Sequence, residues 1–251
     1  MTTKISIIKS YAAEKNVGVQ VGIVNGYYNN KHNHEYQVFE LKNPVNNVGL
    51  IGVDNKDDFA ITFKPNFKGR FAMAVYLDGV NVSQINGITN INQIEESKRN
   101  NYYAHHGKFV CENENGLIAY LYRFSQKGGE NRLFTFTTMF KSGINELLIA
   151  DPSLSSRIEV YLWKEQIFQL DSEILFSPRA SDFLKTKVGA GEATNEKYKT
   201  SANLDSPIYL GKAMFVHLNS GNVNHLGQTK ISTSDAENFN FKDPMDLVPK
   251  T

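Results

Sequence analysis

The histidines are the first place to look for chemistry in this chain, which has six of them and one cysteine. His32 and His34, in the run ending at Glu35, would share one face of a strand, because alternate side chains project together. Such a pair could hold a metal ion or serve a His-dependent hydrolase. A zinc site needs at least three protein ligands, however, and the His-Glu-x-x-His spacing of a helical site is missing, so the run reads as solvated loop. His105 and His106 are adjacent, and an extended backbone sends them to opposite faces. His217 lies within an apolar run and reads as a packed or edge histidine. Cys111 has no partner for an intrachain disulfide and suits a small buried hydrophobe.

Other candidate motifs fall short in the same way. Gly189-Ala190-Gly191-Glu192 looks like half of a phosphate loop, but Thr194 stands where a third glycine would be needed and no Walker lysine follows, so the glycines read as a tight turn. The carboxylates of Asp57-Asp58 and Glu95-Glu96 are adjacent and diverge, unlike the facing pair of a glycosidase. Asn81-Val82-Ser83 is a glycosylation sequon that matters only in a secreted chain. These readings give no catalytic residue, no metal site and no cofactor, and the expectation is a non-enzyme. The tyrosine pairs Tyr27-Tyr28 and Tyr102-Tyr103 remain as stacking platforms for a carbohydrate or another ligand.

The elements that would position any site are strands. In Arg70 to Gln84, Phe71, Met73, Val75 and Leu77 alternate up to Asp78-Gly79, and Val80 and Val82 continue the pattern beyond it. Gly accepts the positive φ of a tight I′ turn and Asp tolerates it, so the segment predicts a hairpin. The alternative makes Asp78 or Asn81 a ligand at a loop tip, without further ligands nearby. Val17, Val19, Val21 and Ile23 share a face, with Gly18, Gln20 and Gly22 on the other, where glycine suits a close neighbour or a bulge. Further strands are expected at Lys4 to Tyr11, Tyr36 to Leu41, Val48 to Val53, Phe59 to Phe63, Tyr102 to Val110, Gly116 to Phe124, Arg132 to Phe140, Arg157 to Lys164 and Pro207 to Leu218. Gly116 to Phe124 is apolar on both faces and reads as central. Ile85 to Asn101 loses the alternation and reads as a surface excursion with a helical turn or two.

Short strands every 8 to 12 residues with turn residues between them predict an all-β fold, an antiparallel β-sandwich or jelly-roll with short helical insertions. The expected division is one domain over 1–234 and an extended arm over 235–251, in which Phe239, Phe241, Met245, Leu247 and Val248 stand among polar residues and form the candidate partner-binding set. The 27 Lys+Arg against 26 Asp+Glu leave a net charge of +1, which supplies no global field for nucleic acid or an anionic membrane. No apolar run approaches the ~18 residues of a membrane-spanning helix, and the N-terminal stretch, interrupted by Lys4 and Lys9, makes a poor signal peptide.

Four pieces in order carry a resemblance: Arg70-Phe71 with Val75 to Val82, Leu117 to Ser125, Ile158 to Trp163, and Val188 to Glu192. Together they resemble a loosely defined group of uncharacterised bacterial and phage-borne β-rich proteins, over roughly residues 60 to 195. The chain departs from that group in having His106-Gly107 where a Pro-Gly turn is expected. The resemblance implies no chemistry and no site residue. The expectation is a structural component of a large assembly, such as a minor capsid, decoration or tail protein of a virus or phage. Its partners would be other protein subunits or copies of itself, and it would reside in the virion if virus-encoded and otherwise in the cytoplasm. A carbohydrate- or ligand-binding module and a hydrolase built on His32 and His34 are the alternatives.

Overall fold

The structure is a computed structural model, which describes residues 3–10, 16–26, 34–43, 46–83, 90–113, 118–125, 131–138, 156–166, 186–194 and 203–220. Its strands in chain order are β1 (Lys4–Ser10), β2 (Asn16–Asn25), β3 (Phe39–Asn43), β4 (Asn46–Val53), β5 (Asp58–Pro65), β6 (Gly69–Leu77) and β7 (Val80–Asn81). They continue with β8 (Phe109–Asn113), β9 (Ala119–Leu121), β10 (Arg123–Ser125), β11 (Asn131–Thr138), β12 (Arg157–Glu165), β13 (Thr186–Thr194) and β14 (Pro207–Asn219).

Among the described residues these strands make two seven-stranded sheets. The first runs β1-β2-β5-β11-β10, with β13 also on β11 and β9 also on β5; the second runs β3-β4-β14-β12-β6-β7, with β8 also on β6. The protein is therefore an all-β sandwich. The second sheet is mixed, because β14 lies parallel to β4 while its other neighbour, β12, is antiparallel.

Alternation decides the faces. Ile5 and Ile7 of β1 sit opposite Val21 and Val19 of β2, and Val21 and Ile23 sit opposite Phe63 and Ile61 of β5. These side chains meet Phe71, Met73, Val75 and Leu77 of β6 and Ile158, Val160 and Leu162 of β12 in one buried core between the sheets. The glycines on the other face of β2 serve close neighbours, as their spacing suggested: a Cβ at Gly18 would run into the Ile7 carbonyl oxygen, and one at Gly22 would lie 2.9 Å from Thr62 Oγ1.

The expected hairpin forms: Asp78 and Gly79 take φ of 49° and 83°, and Leu77 pairs with Val80. A second local feature controls β14. Leu162 pairs with Gly211 but Trp163 pairs with Tyr209, so Leu210 is an extra residue and Gly211 adopts φ 149°. Such a bulge flips the parity of the strand. Leu210 joins the inter-sheet core, while Tyr209 turns to the outer face of the second sheet.

Four expectations change. The excursion after the hairpin is a cap over the outer face of the second sheet, made of 3₁₀ turns at Ile91–Gln93, Glu96–Lys98 and Tyr102–Ala104. Its Ile91, Ile94 and Tyr102 pack on Ala72, Ala74, Tyr76, Tyr161 and Trp163. The strand expected from Tyr102 accordingly starts at Phe109. Gly116 to Phe124 is not one central strand either. Its described part breaks at Tyr122 into β9, which pairs with β5, and β10, which pairs with β11. The break falls where β11 and β9 share one edge of β5, and there the Tyr122 carbonyl accepts from Phe134 N–H at 2.9 Å. Finally, Gly189 to Glu192 lie within strand β13 and form no tight turn: Gly189 and Ala190 pair with Thr135 and Phe134 of β11, and Gly191 and Glu192 fall in the register shift before Ala193.

Candidate functional site

Among the described residues, the second sheet and its cap carry most of the buried polar side chains. On the outer face of β12, Arg157, Glu159, Tyr161 and Trp163 alternate with the core residues, and all four are buried. Register brings Lys212 of β14 beside Tyr161. Its ammonium pairs with Glu159, while Arg157 Nη1 lies 3.6 Å from the same carboxylate and the Tyr161 hydroxyl donates to it at 3.1 Å. Burial pushes the Glu159 carboxyl up, but the Lys212 ammonium and the Arg157 guanidinium outweigh it and hold it at about 2. Burial pulls Lys212 down, against the attraction of Glu159. The two partners differ because Glu159 is stabilised by two cations, whereas Lys212 has one carboxylate to set against its burial and is further opposed by Arg157.

His105 stands under the cap. Its Nε2 is 2.7 Å from the Arg99 carbonyl, which can only accept, so this nitrogen carries the proton; Nδ1 then accepts from the Tyr76 hydroxyl, also at 2.7 Å. The ring is surrounded by Tyr76, Tyr161 and Trp163 at centroid distances of 4.9 to 5.7 Å. Burial lowers its pKa to about 4, so at neutral pH it is an uncharged bridge between cap and sheet. The exit of the cap is tied by Asn81, whose amide nitrogen donates to the Gly107 carbonyl at 2.9 Å and whose oxygen accepts from Ser83. A side chain at Gly107 would strike Ser83 Oγ and Asn81 Oδ1. Glycine at position 107 therefore allows this close approach.

A third group meets at the hairpin end. Asp78 accepts from Arg157 N–H at 3.2 Å, His217 Nε2 is 3.5 Å from Asp78 Oδ1, and the Ser156 carbonyl accepts from His217 N–H at 3.0 Å. An acid, a histidine and a serine are drawn together from three strand ends, but Ser156 meets His217 main chain to main chain, unlike the hydroxyl-to-ring contact of a hydrolytic triad. All three are 0% exposed, and the His217 ring packs on Phe136 at 5.0 Å. The arrangement is a sealed polar plug in the core. Asp78 and Asn81 are thus inside the fold, contrary to the loop-tip alternative, and the Asn81 sequon is buried with them.

The exposed candidates divide. His34 is at the surface, with Tyr36 edge-on at 5.6 Å, while His32, Tyr27 and Tyr28 lie outside the described residues, as do Phe239, Phe241, Met245, Leu247 and Val248. Tyr102 is no platform: it is 2% exposed and packs against Trp163, with its hydroxyl accepting from Leu204 N–H at 3.2 Å. Tyr103 is the opposite, 68% exposed at the tip of the cap. His105 and His106 face opposite ways, buried and exposed, as their adjacency suggested. Cys111 is half-buried against the core, and burial pushes its thiol up to about 11. Among the described residues no group of three His, Cys, Asp or Glu side chains is placed to hold a metal ion. No helix among them is long and apolar enough to cross a membrane.

Reading by residue pattern missed the Glu159 cluster and the Asp78–His217 contact. The alternating Arg157, Glu159, Tyr161 series was the available signal, since a charged residue at every second place of a strong apolar strand requires burial with partners or a solvated face. The fold and these sites define a two-sheet β-sandwich with a capped outer face. No family model, no curated protein and no solved structure matches this chain.

Proposed function

We propose that this chain is a non-enzymatic structural component of a large protein assembly, of the minor capsid, decoration or tail kind. One observation carries the reading: the side chains best suited to chemistry are spent on rigidity. Asp78, His105, Glu159, Lys212 and His217 are each at most 5% exposed and join strand to strand or cap to sheet. Buried polar networks of this kind specify one rigid packing, which suits a repeated building block. The resemblance to bacterial and phage-borne β-rich proteins is compatible with it, and the apolar residues of 235–251 supply a segment for contact with neighbouring subunits.

The test is the mass of the native particle containing this chain, by sedimentation or native mass spectrometry on material from its source, with a variant truncated after Ser234 for comparison. A large assembly of fixed stoichiometry that loses this chain on truncation supports the reading. A monomer near 28.3 kDa at high concentration, unchanged by truncation, refutes it.

A further inference from the structure

The cap is an irregular segment held far more firmly than a connection requires. Trp163 Nε1 donates to the Asn100 carbonyl at 3.0 Å, Arg99 Nε to Ile94 at 3.2 Å, and Lys108 Nζ to both Tyr102 and His105. The same lysine sits 4.1 Å from the centre of the Tyr102 ring. This scaffold presents Tyr103, whose ring stands perpendicular to Tyr102 at 5.3 Å and whose N–H is held by Asn101 Oδ1 at 3.0 Å. Tyr103 is thus an exposed ring on a backbone position that is held in place before any ligand arrives, which reduces the ordering cost of binding.

The next residue of the same turn, Ala104, lines an open cleft of about 370 Å³ together with Gln93, Ile94, Glu95, Lys98 and His106, and Tyr103 stands outside that lining. Glu95 and Lys98 are paired at 2.7 Å, so the two charges of the cleft cancel while their hydrogen-bonding atoms remain at the surface. An amide, an imidazole, a carboxylate and an ammonium around a small hollow match a ligand rich in hydroxyls and without net charge.

We propose that the cap carries a binding site for a neutral saccharide, with Tyr103 as the stacking platform and the adjoining cleft as the source of hydrogen bonds. Pyranose C–H groups pack on the ring, and the ring hydroxyls exchange water for the cleft side chains. This site is independent of the assembly reading: it works equally in a monomer and in a particle, and the two fail on different measurements.

The test is saturation-transfer NMR on the full-length chain with glucose, galactose, mannose, N-acetylglucosamine and their neutral trisaccharides, together with a sialylated trisaccharide. Transfer to at least one neutral sugar is expected, weakened roughly tenfold by Tyr103→Ala, the scale of an aromatic stacking contact. Lys98→Ala, in an exposed cleft side chain, is expected to weaken it too, and Tyr120→Ala on the first sheet to leave it unchanged. Absence of transfer from every sugar overturns the proposal. So does binding that survives both Tyr103→Ala and Lys98→Ala in folded protein, or binding confined to the sialylated sugar.

Discussion

Glu159 offers the sharpest test of how the second sheet is held together. Replacing it by Leu leaves Lys212 and Arg157 facing each other in a site where all three residues are at most 5% exposed. Breaking a buried pair by removing one partner costs about 3–5 kcal/mol. The acidity of the carboxyl gives a second route to the magnitude. Its pKa falls from 4.5 to about 2 on folding, and at 1.36 kcal/mol per pKa unit this is about 3 kcal/mol of stability at neutral pH. A depressed carboxylate contributes fully above pH 4.5, and that contribution is lost as pH falls from 4.5 through about 2. For a chain of this size the loss corresponds to a Tm lower by about 6–20 °C. Trp163, the single tryptophan, is buried on the same face of β12 and reports the transition by fluorescence during urea unfolding. The triple variant Arg157→Met, Glu159→Leu, Lys212→Met is expected to recover most of the loss, because no charge is then left buried without a partner. If Glu159→Leu unfolds at the wild-type midpoint, or if the triple variant is as unstable as the single one, charge compensation is not what Glu159 supplies.

His105 should give a separate acid transition. Its folded pKa of about 4 lies below the ordinary 6.5, so its contribution is full above pH 6.5 and is lost as pH falls through about 4; stability of His105→Phe measured across that window should lack this component. Gly18→Ala should lower stability by at least about 2 kcal/mol in urea unfolding, since the new Cβ meets the Ile7 carbonyl and β1 must shift off its register, whereas Tyr103→Ala at an exposed position should change it by less than about 0.5 kcal/mol. Cys111 should react with iodoacetamide about 100-fold more slowly in native protein than in urea, followed by mass spectrometry, because a thiol raised from 9.0 to about 11 holds that much less thiolate; equal rates would place it in water.

Local pattern was enough to specify the sandwich. Alternation in Val17 to Ile23 and Phe71 to Leu77 assigned the faces of β2 and β6, and Asp78-Gly79 marked the tight turn, because each depends on neighbours one or two residues away. The exposure split between His105 and His106 followed from the same rule. What lay beyond the sequence depended on residues far apart along the chain. The bulge at Leu210 is set by pairing with β12 and decides that Tyr209 and Lys212 face outward. The cap over Tyr161 and Trp163 looked like a surface excursion because its apolar residues, Ile91, Ile94 and Tyr102, follow no regular period, and only the face they cover explains them. Asp78, Ser156 and His217 are brought together by strand order alone. The sequence by itself determined that this chain folds as packed β-sheets, since strand periodicity and turn chemistry are local. The tertiary structure decided which polar groups are sealed and that Tyr103 is presented while Tyr102 is buried, because burial is a property of the neighbours that the fold supplies.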